Sequence, residues 1–169
     1  FQGGTPVITS AANERLKLIR KLESRAQRAR TGLFVAEGED LVEAALLAGI
    51  QPVEALVDAE RPVLEGRLKG AELCMPKLLA EVSTLAHPPR VIAVFREKDM
   101  PLLDTSGEAA ATPRVGLALW HVGDPGNVGT LLRAADAMGP AFVALSEGCA
   151  DPYGPKALPS LSATKAGPM

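Results

Sequence analysis

The stretch that decides the fold of this chain is GDPGNVGTLLR, residues 123–133. An apolar run from Val115 to Val122 precedes it and has the length and composition of a buried strand. A glycine-rich turn follows the run, and Thr130 to Met138 is predicted to be helical, with Gly139 ending the helix. A strand, a tight turn and a helix start form a common platform for an anionic ligand, because the N–H groups of the first helical turn point outward.

Two familiar phosphate motifs are excluded by spacing. Gly129-Thr130 lacks the lysine of a P-loop, and the residues before Gly126 do not supply the first glycine of a dinucleotide fingerprint. What remains is Asn127, which suits a helix N-cap, and Arg133 six residues later. From the residues alone, an N-cap followed by an arginine on the solvated helix face is favoured over a ligand site.

A family resemblance favours the ligand site. Residues 124–139, DPGNVGTLLRAADAMG, resemble the first motif of the SpoU (TrmH-type) RNA 2'-O-ribose methyltransferases, and residues 146–156, SEGCADPYGPK, resemble the segment that follows it. The resemblance implies a knotted SPOUT-type α/β catalytic domain, S-adenosylmethionine as methyl donor, a structured rRNA or tRNA substrate and a homodimer. It also implies that Asn127 and Arg133 are the catalytic residues.

Composition limits the class of protein. A chain of 169 residues that is 47% hydrophobic and 22% charged has the balance of a globular protein with one sizeable core or two small ones. It contains no apolar stretch of about 18 residues, so we expect no membrane segment and a cytoplasmic location. Cys74 and Cys149 are predicted to be free, buried thiols, and His87 and His121 are isolated, so no metal site is predicted.

The net charge of −2 hides a basic segment. Residues 14–30 contain seven basic and two acidic residues. The segment is predicted to be one helix that begins near Ser10, with a buried stripe made of Leu16, Ile19, Leu22 and Ala26. The basic residues form either a solvated helix face or a surface for RNA phosphates, where each contact releases counterions. The predicted RNA-binding residues are Arg15, Lys17, Arg20, Lys21, Arg25, Arg28 and Arg30.

Strands and helices alternate through residues 5–97, which predicts a small α/β domain. Strands are predicted at 33–37, 53–57, 73–75 and 90–95, and helices at 41–48 and from Pro76 to Leu85. The segment resembles the ribosomal-protein-like RNA-binding domain that precedes the catalytic domain in many SpoU enzymes. Within it, Glu37-Gly38 fits both that family pattern and a turn with a role in the fold alone.

The remaining segments complete the predicted organisation. Residues 1–3 match the remnant of a cleaved expression tag, residues 98–113 form a linker, and residues 114–169 begin the methyltransferase domain. A strand at 141–146 is predicted to run parallel to the strand before the helix. The resemblance ends after Lys156, and the later motifs that would line the cofactor pocket are missing. We therefore expect a truncated chain that binds S-adenosylmethionine weakly by itself.

Three functions follow from these observations. The first is an S-adenosylmethionine-dependent RNA 2'-O-ribose methyltransferase. The second is an RNA-binding module without catalysis, and the third is an α/β phosphate-binding domain unrelated to RNA. The sequence does not specify which RNA or which nucleotide is recognised.

Overall fold

A computed structural model describes residues 6–97, 116–138 and 142–158. The chain divides into two compact units, Phe1–Asp99 and Met100–Met169. The predicted tag remnant at 1–3 and the predicted linker at 98–113 lie outside the described residues.

The first unit is a mixed five-stranded sheet with helices, which confirms the predicted α/β class. The strand order is β1-β4-β3-β5-β2. Strands β1, β4 and β3 are parallel, whereas β5 runs antiparallel to both of its neighbours. The elements are β1 (Val7–Ile8), α1 (Glu14–Leu22), α2 (Arg25–Thr31), β2 (Leu33–Glu37), α3 (Glu39–Leu47), β3 (Glu54–Asp58), β4 (Glu72–Cys74), α4 (Pro76–Val82) and β5 (Val91–Arg96).

The core lies against the two central strands, β3 and β5. Residues 91–95 of β5 are all buried, so both faces of this strand are covered. Helices α1 and α4 pack against Leu56, Ile92 and Val94, while α3 packs on β2 and β5, where Val42 is fully buried. A strand covered on both faces reads as a continuous apolar run, which is why the sequence predicted β5 clearly.

The prediction of one basic helix over residues 14–30 is wrong. The structure has two helices, because Glu23 ends α1 and Ser24 adopts an extended conformation before α2. Helix α1 is capped by Asn13, whose side-chain oxygen accepts a hydrogen bond from the Arg15 N–H at 2.9 Å, and not by Ser10. Leu16, Ile19 and Leu22 are buried as predicted. Ala26 lies beyond the break and is exposed.

The second unit contains a strand, a helix and a parallel strand, as the sequence predicted. These are β6 (Gly116–Leu119), α5 (Pro125–Met138) and β7 (Phe142–Leu145). Strands β6 and β7 pair in parallel, with Leu119 opposite Leu145. Helix α5 begins five residues before Thr130, so the predicted start of this helix is wrong. In the described ranges, no helix is both long and apolar enough to span a membrane.

A buried carboxylate ties the end of β2 to the end of α4. Glu37 is 8% exposed, and its carboxylate accepts hydrogen bonds from the Ser83 hydroxyl (2.5 Å), the Thr84 hydroxyl (2.6 Å) and the Thr84 backbone N–H (3.1 Å). Gly38 follows with a φ of +96°, a conformation that favours glycine. Glu37-Gly38 therefore has the role in the fold that its sequence pattern left open.

Both cysteines are free and buried, as predicted. Burial, with a smaller contribution from the Asp58 carboxylate, raises the pKa of the Cys74 thiol from an ordinary value of 9.0 to about 11. The folded chain consequently keeps this thiol protonated at a pH where the unfolded chain loses the proton.

The Cys74 pKa predicts a loss of stability in alkali. Because the folded pKa lies above the unfolded pKa, the stability that this thiol contributes is complete below pH 9 and is lost as the pH rises through about 11. We expect the free energy of unfolding to fall by about 2–3 kcal/mol more in the native chain than in Cys74→Ala over this range. Urea unfolding at each pH measures the difference, with Cys149→Ala as the control. Parallel curves for the native chain and Cys74→Ala would contradict the prediction.

Candidate nucleic-acid interface

The start of helix α5 is fixed by Asp124. Its side-chain oxygen accepts a hydrogen bond from the Asn127 N–H at 2.8 Å, and its backbone carbonyl accepts one from the Val128 N–H at 3.1 Å. Pro125 occupies the first helical position, where the fixed φ of proline suits a helix. The prediction that Asn127 is the N-cap is therefore wrong. Because Asp124 takes that role, the exposed Asn127 side chain is not needed as the cap.

Arg133 lies farther along the same helix. Six residues of α-helix place it about 9 Å beyond Asn127 along the axis and about 140° around the axis from the buried Val128. The Arg133 side chain is half-buried. It forms no ion pair or hydrogen bond with any side chain that the structure describes. No carboxylate among those side chains neutralises its guanidinium, so the group retains its capacity for an anionic ligand.

Two loops meet at the carboxyl ends of β6 and β7. The Ser146 hydroxyl accepts a hydrogen bond from the His121 N–H at 2.9 Å, and the Ala150 N–H donates to the Val122 carbonyl at 2.8 Å. The Cys149 thiol lies 3.3 Å from the Leu119 carbonyl, to which it donates. These bonds fix the segment that leads into α5. The sequence did not reveal this contact, since it joins residues 25 positions apart.

An exposed aromatic pair stands on these loops. Trp120 is 77% exposed, and its ring lies edge-on to the His121 ring with centroids 5.0 Å apart. His121 has a φ of +53°, which is unusual for a residue other than glycine. Gly148 packs under the imidazole so closely that a Cβ at this position would lie 2.7 Å from the His121 Nδ1 atom. Sequence reasoning missed this pair, although a tryptophan-histidine dipeptide directly before the glycine-rich turn could have indicated it.

Three of the predicted RNA-binding residues on α1 are paired with acidic side chains. The pairs are Arg15 with Glu54 (2.5 Å) and Glu72 (3.0 Å), Lys17 with Glu14 (2.6 Å), and Arg20 with Glu81 (3.9 Å). The hydrogen bond from Lys17 lowers the pKa of the Glu14 carboxyl. Exposed pairs of this kind contribute about 0–1 kcal/mol, so a phosphate competes readily for the cations. Arg15 is the most constrained of the three because it bridges two carboxylates.

Arg28 is removed from the predicted basic surface. Its side chain is 6% exposed, and its guanidinium donates hydrogen bonds to the backbone carbonyls of Leu22 (2.8 Å) and Glu23 (2.7 Å). These carbonyls belong to the last turn of α1, where no intrahelical donor remains for them. Arg28 therefore holds α2 against the end of α1, and its side chain is not placed for a contact with RNA.

The remaining basic residues lie around the break between α1 and α2. Lys21 and Arg25 are exposed, and neither forms an ion pair or side-chain hydrogen bond within the described part of the chain. Arg30 is exposed and donates a hydrogen bond to the Gln27 side chain at 2.7 Å. We call the set of Lys17, Arg20, Lys21, Arg25 and Arg30 the basic surface.

Comparison with known proteins covers both units. Residues 13–93 match the family described as the MRM3-like substrate binding domain. The 23S rRNA (guanosine(2553)-2'-O)-methyltransferase RlmP of Bacillus subtilis (strain 168) is 34% identical over 155 residues, which are 90% of this chain and 59% of that relative. The solved structure of a putative RNA methyltransferase of the TrmH family from Porphyromonas gingivalis matches with a TM-score of 0.73 and 30% identity, covering 92% of this chain and 59% of the other.

The chain is a homologue of the SpoU (TrmH-type) RNA methyltransferases.

The cofactor of this enzyme family is seen in a further relative. The AdoMet-bound rRNA methyltransferase from Sinorhizobium meliloti matches this SpoU homologue with a TM-score of 0.72 and 28% identity, over 94% of this chain and 62% of that chain. The SpoU homologue spans about three fifths of the length of these relatives. The comparisons confirm the predicted resemblance to the SpoU (TrmH-type) family and the mixed α/β fold.

Proposed function

We propose that this chain supplies the RNA-binding unit and the catalytic helix start of an S-adenosylmethionine-dependent RNA 2'-O-ribose methyltransferase. We further propose that it acts on rRNA or tRNA in the cytoplasm as a homodimer. The observation that carries the proposal is that similarity to an rRNA 2'-O-methyltransferase extends over 90% of the chain and therefore through both units. Two structural features agree with this proposal: Arg133 has no ion pair with a described side chain, and Asp124 caps the start of α5.

The chemistry demands stabilisation of negative charge. A ribose hydroxyl is a poor nucleophile until it loses its proton, and negative charge builds up on the 2'-oxygen as that proton passes to solvent and before the oxygen bonds to the methyl group. Arginine is effectively always protonated in proteins, so Arg133 does not act as the base. Its guanidinium instead contacts the neighbouring phosphate and the 2'-oxygen, which lowers the effective pKa of the hydroxyl. Asn127 orients the ribose from the first turn of α5.

The described residues do not fit a pocket for the methyl donor. At the carboxyl ends of β6 and β7, the polar groups that a cofactor would need are used between the loops, as in the His121–Ser146 and Cys149–Leu119 bonds. S-adenosylmethionine supplies the methyl group in this proposal, but we assign its contacts to none of the residues in 116–138 and 142–158. Weak binding of S-adenosylmethionine by the 169-residue chain alone stays a prediction.

The basic surface yields a prediction for RNA binding. Replacing both Lys21 and Arg25 with Glu is expected to weaken binding to structured RNA about 100-fold at low salt, because two phosphate contacts become repulsive. The slope of log affinity against log salt should fall by about 2. Fluorescence anisotropy with a labelled rRNA hairpin at several salt concentrations measures both quantities.

A matched control separates a local contact from net charge. Lys69 and Lys77 are exposed lysines of the same unit that lie outside the basic surface. Replacing both with Glu changes the net charge equally, and we expect at most a few-fold loss of affinity. Equal losses from the two double variants would show that the basic surface is not the RNA contact.

Mass spectrometry of cellular RNA tests the proposed function directly. Digested rRNA and tRNA are compared between cells that have and lack the gene encoding this chain. Loss of one 2'-O-methylated nucleoside, restored when the gene is returned, is the expected result. Unchanged methylation together with salt-dependent RNA binding would favour the non-catalytic RNA-binding module, and unchanged methylation without RNA binding would favour a phosphate-binding domain unrelated to RNA.

A further inference from the structure

We propose that Trp120 is a stacking platform for an unpaired nucleobase of the RNA substrate. The proposal rests on the proposed function and adds a specificity-determining contact to it. Trp120 is 77% exposed, so its indole ring is accessible to a partner with a flat apolar face. Nucleobases provide such a face, and protein aromatic side chains bind single-stranded RNA by stacking on it.

The backbone on both sides of Trp120 is held in place. The preceding carbonyl, of Leu119, accepts hydrogen bonds from the Ser146 N–H (2.9 Å) and the Cys149 thiol (3.3 Å). The following N–H, of His121, donates to the Ser146 hydroxyl at 2.9 Å. A ring on a fixed backbone loses little conformational freedom when a ligand stacks on it, so the indole is already placed for binding.

The indole is also supported from the side. The imidazole of His121 meets it edge-on at 5.0 Å, and that imidazole rests on Gly148. The left-handed backbone of His121, with φ of +53°, is the conformation that presents the two rings together. Sparsely populated backbone conformations persist where surrounding contacts enforce them, and they concentrate at ligand sites. Here the enforcing contact is the hydrogen bond from His121 to Ser146.

The position of Trp120 suits a base next to a bound ribose. Asp124 comes four positions after Trp120, so the Cα atoms of the two residues lie at most about 14 Å apart, a span of a few nucleotides. The exposed Asn127 and the half-buried Arg133 follow on helix α5, and Arg133 forms no ion pair with any side chain that the structure describes, so its guanidinium can contact the phosphate beside the stacked base. An aromatic face followed by a cation matches the alternation of base and phosphate in RNA. A purely apolar protein partner would gain nothing from Arg133.

The experiment uses the one tryptophan of the chain as its own reporter. The 169-residue chain is titrated with an rRNA hairpin that has an unpaired loop and with a blunt duplex of the same length. We expect the hairpin to quench Trp120 emission and to shield the indole from acrylamide, and the duplex to do neither. Anisotropy of labelled hairpin gives the affinity of each variant, with about a tenfold loss expected for Trp120→Ala and about a twofold loss for Trp120→Phe, which keeps a stacking ring.

The outcomes distinguish this proposal from the function on which it rests. Hairpin binding with unchanged emission, or equal affinity for Trp120→Ala and the native chain, overturns the stacking contact and leaves the RNA function standing. A blue shift of emission that depends on protein concentration without RNA shows that a second copy covers Trp120, and this also overturns the proposal. Absence of any binding to hairpin or duplex overturns both proposals together.

Discussion

Replacing Arg133 with Ala is expected to lower the rate of ribose methylation at least 100-fold in the natural full-length protein. The reason is that the guanidinium stabilises the negative charge that builds up on the 2'-oxygen as its proton is lost during methyl transfer. Removal of one preorganised donor from such a site costs about 10²- to 10³-fold in rate. RNA binding should fall by at most a few-fold, because the basic surface of the first unit remains intact.

Arg133→Lys sharpens the test. Lysine keeps the positive charge but lacks the planar fork that bonds two oxygens at once, so we expect this variant to recover only part of the lost rate. Single-turnover methylation with saturating RNA and S-adenosylmethionine measures the chemical step apart from binding. Arg67→Ala is the matched control, since Arg67 is an arginine of the first unit that pairs with Glu43 on the surface. Wild-type turnover by Arg133→Ala would refute the proposed role.

Replacing Glu37 with Ala is expected to lower the free energy of unfolding by about 2–4 kcal/mol. The substitution leaves the Thr84 N–H and the hydroxyls of Ser83 and Thr84 without their acceptor at a buried position. Each unsatisfied donor costs about 1–3 kcal/mol when it is cut off from water, although part of this cost is recovered as the loop relaxes. Urea unfolding followed by circular dichroism measures the change.

Two companion variants make the Glu37 prediction specific. Glu37→Gln keeps one acceptor oxygen, so we expect it to lose clearly less stability than Glu37→Ala. Glu60→Ala removes an exposed carboxyl that forms no ion pair or side-chain hydrogen bond within the described residues, and its effect should stay within about 0.5 kcal/mol. If Glu37→Ala were as stable as Glu60→Ala, the hydrogen bonds to Ser83 and Thr84 would contribute nothing.

The sequence predicted the strands and helices that carry a local pattern. The apolar run of β5 and the proline that opens α4 are local patterns, and they placed these elements within a few residues. Strand β1 was not readable, because Val7–Ile8 is a strand only through its pairing with β4, more than sixty residues later. The sequence did not predict the break between α1 and α2 for a similar reason, since Arg28 of α2 stabilises the break by donating a hydrogen bond to a backbone carbonyl of α1.

The candidate site divides in the same way. The spacing of Asn127 and Arg133 is a linear pattern, so the family resemblance predicts both as site residues, and their catalytic roles stay a prediction. The cap was assigned to Asn127 because Asn and Asp are equally good N-caps, and only the hydrogen bond to Asp124 shows which one is used. The sequence did not predict a role for Trp120 and His121, because their backbone is held by a hydrogen bond to Ser146, which no local pattern indicates.

The Arg28 contacts also bear on how quickly a ligand can associate. Because the Arg28 guanidinium fixes the break between α1 and α2 in the free protein, the basic side chains on either side of the break are in place before a ligand arrives. An RNA that meets such a surface triggers no disorder-to-order transition in the helices and adapts its own shape instead. Electrostatic attraction can then steer the encounter toward the diffusion limit, and salt should slow arrival more than it speeds departure.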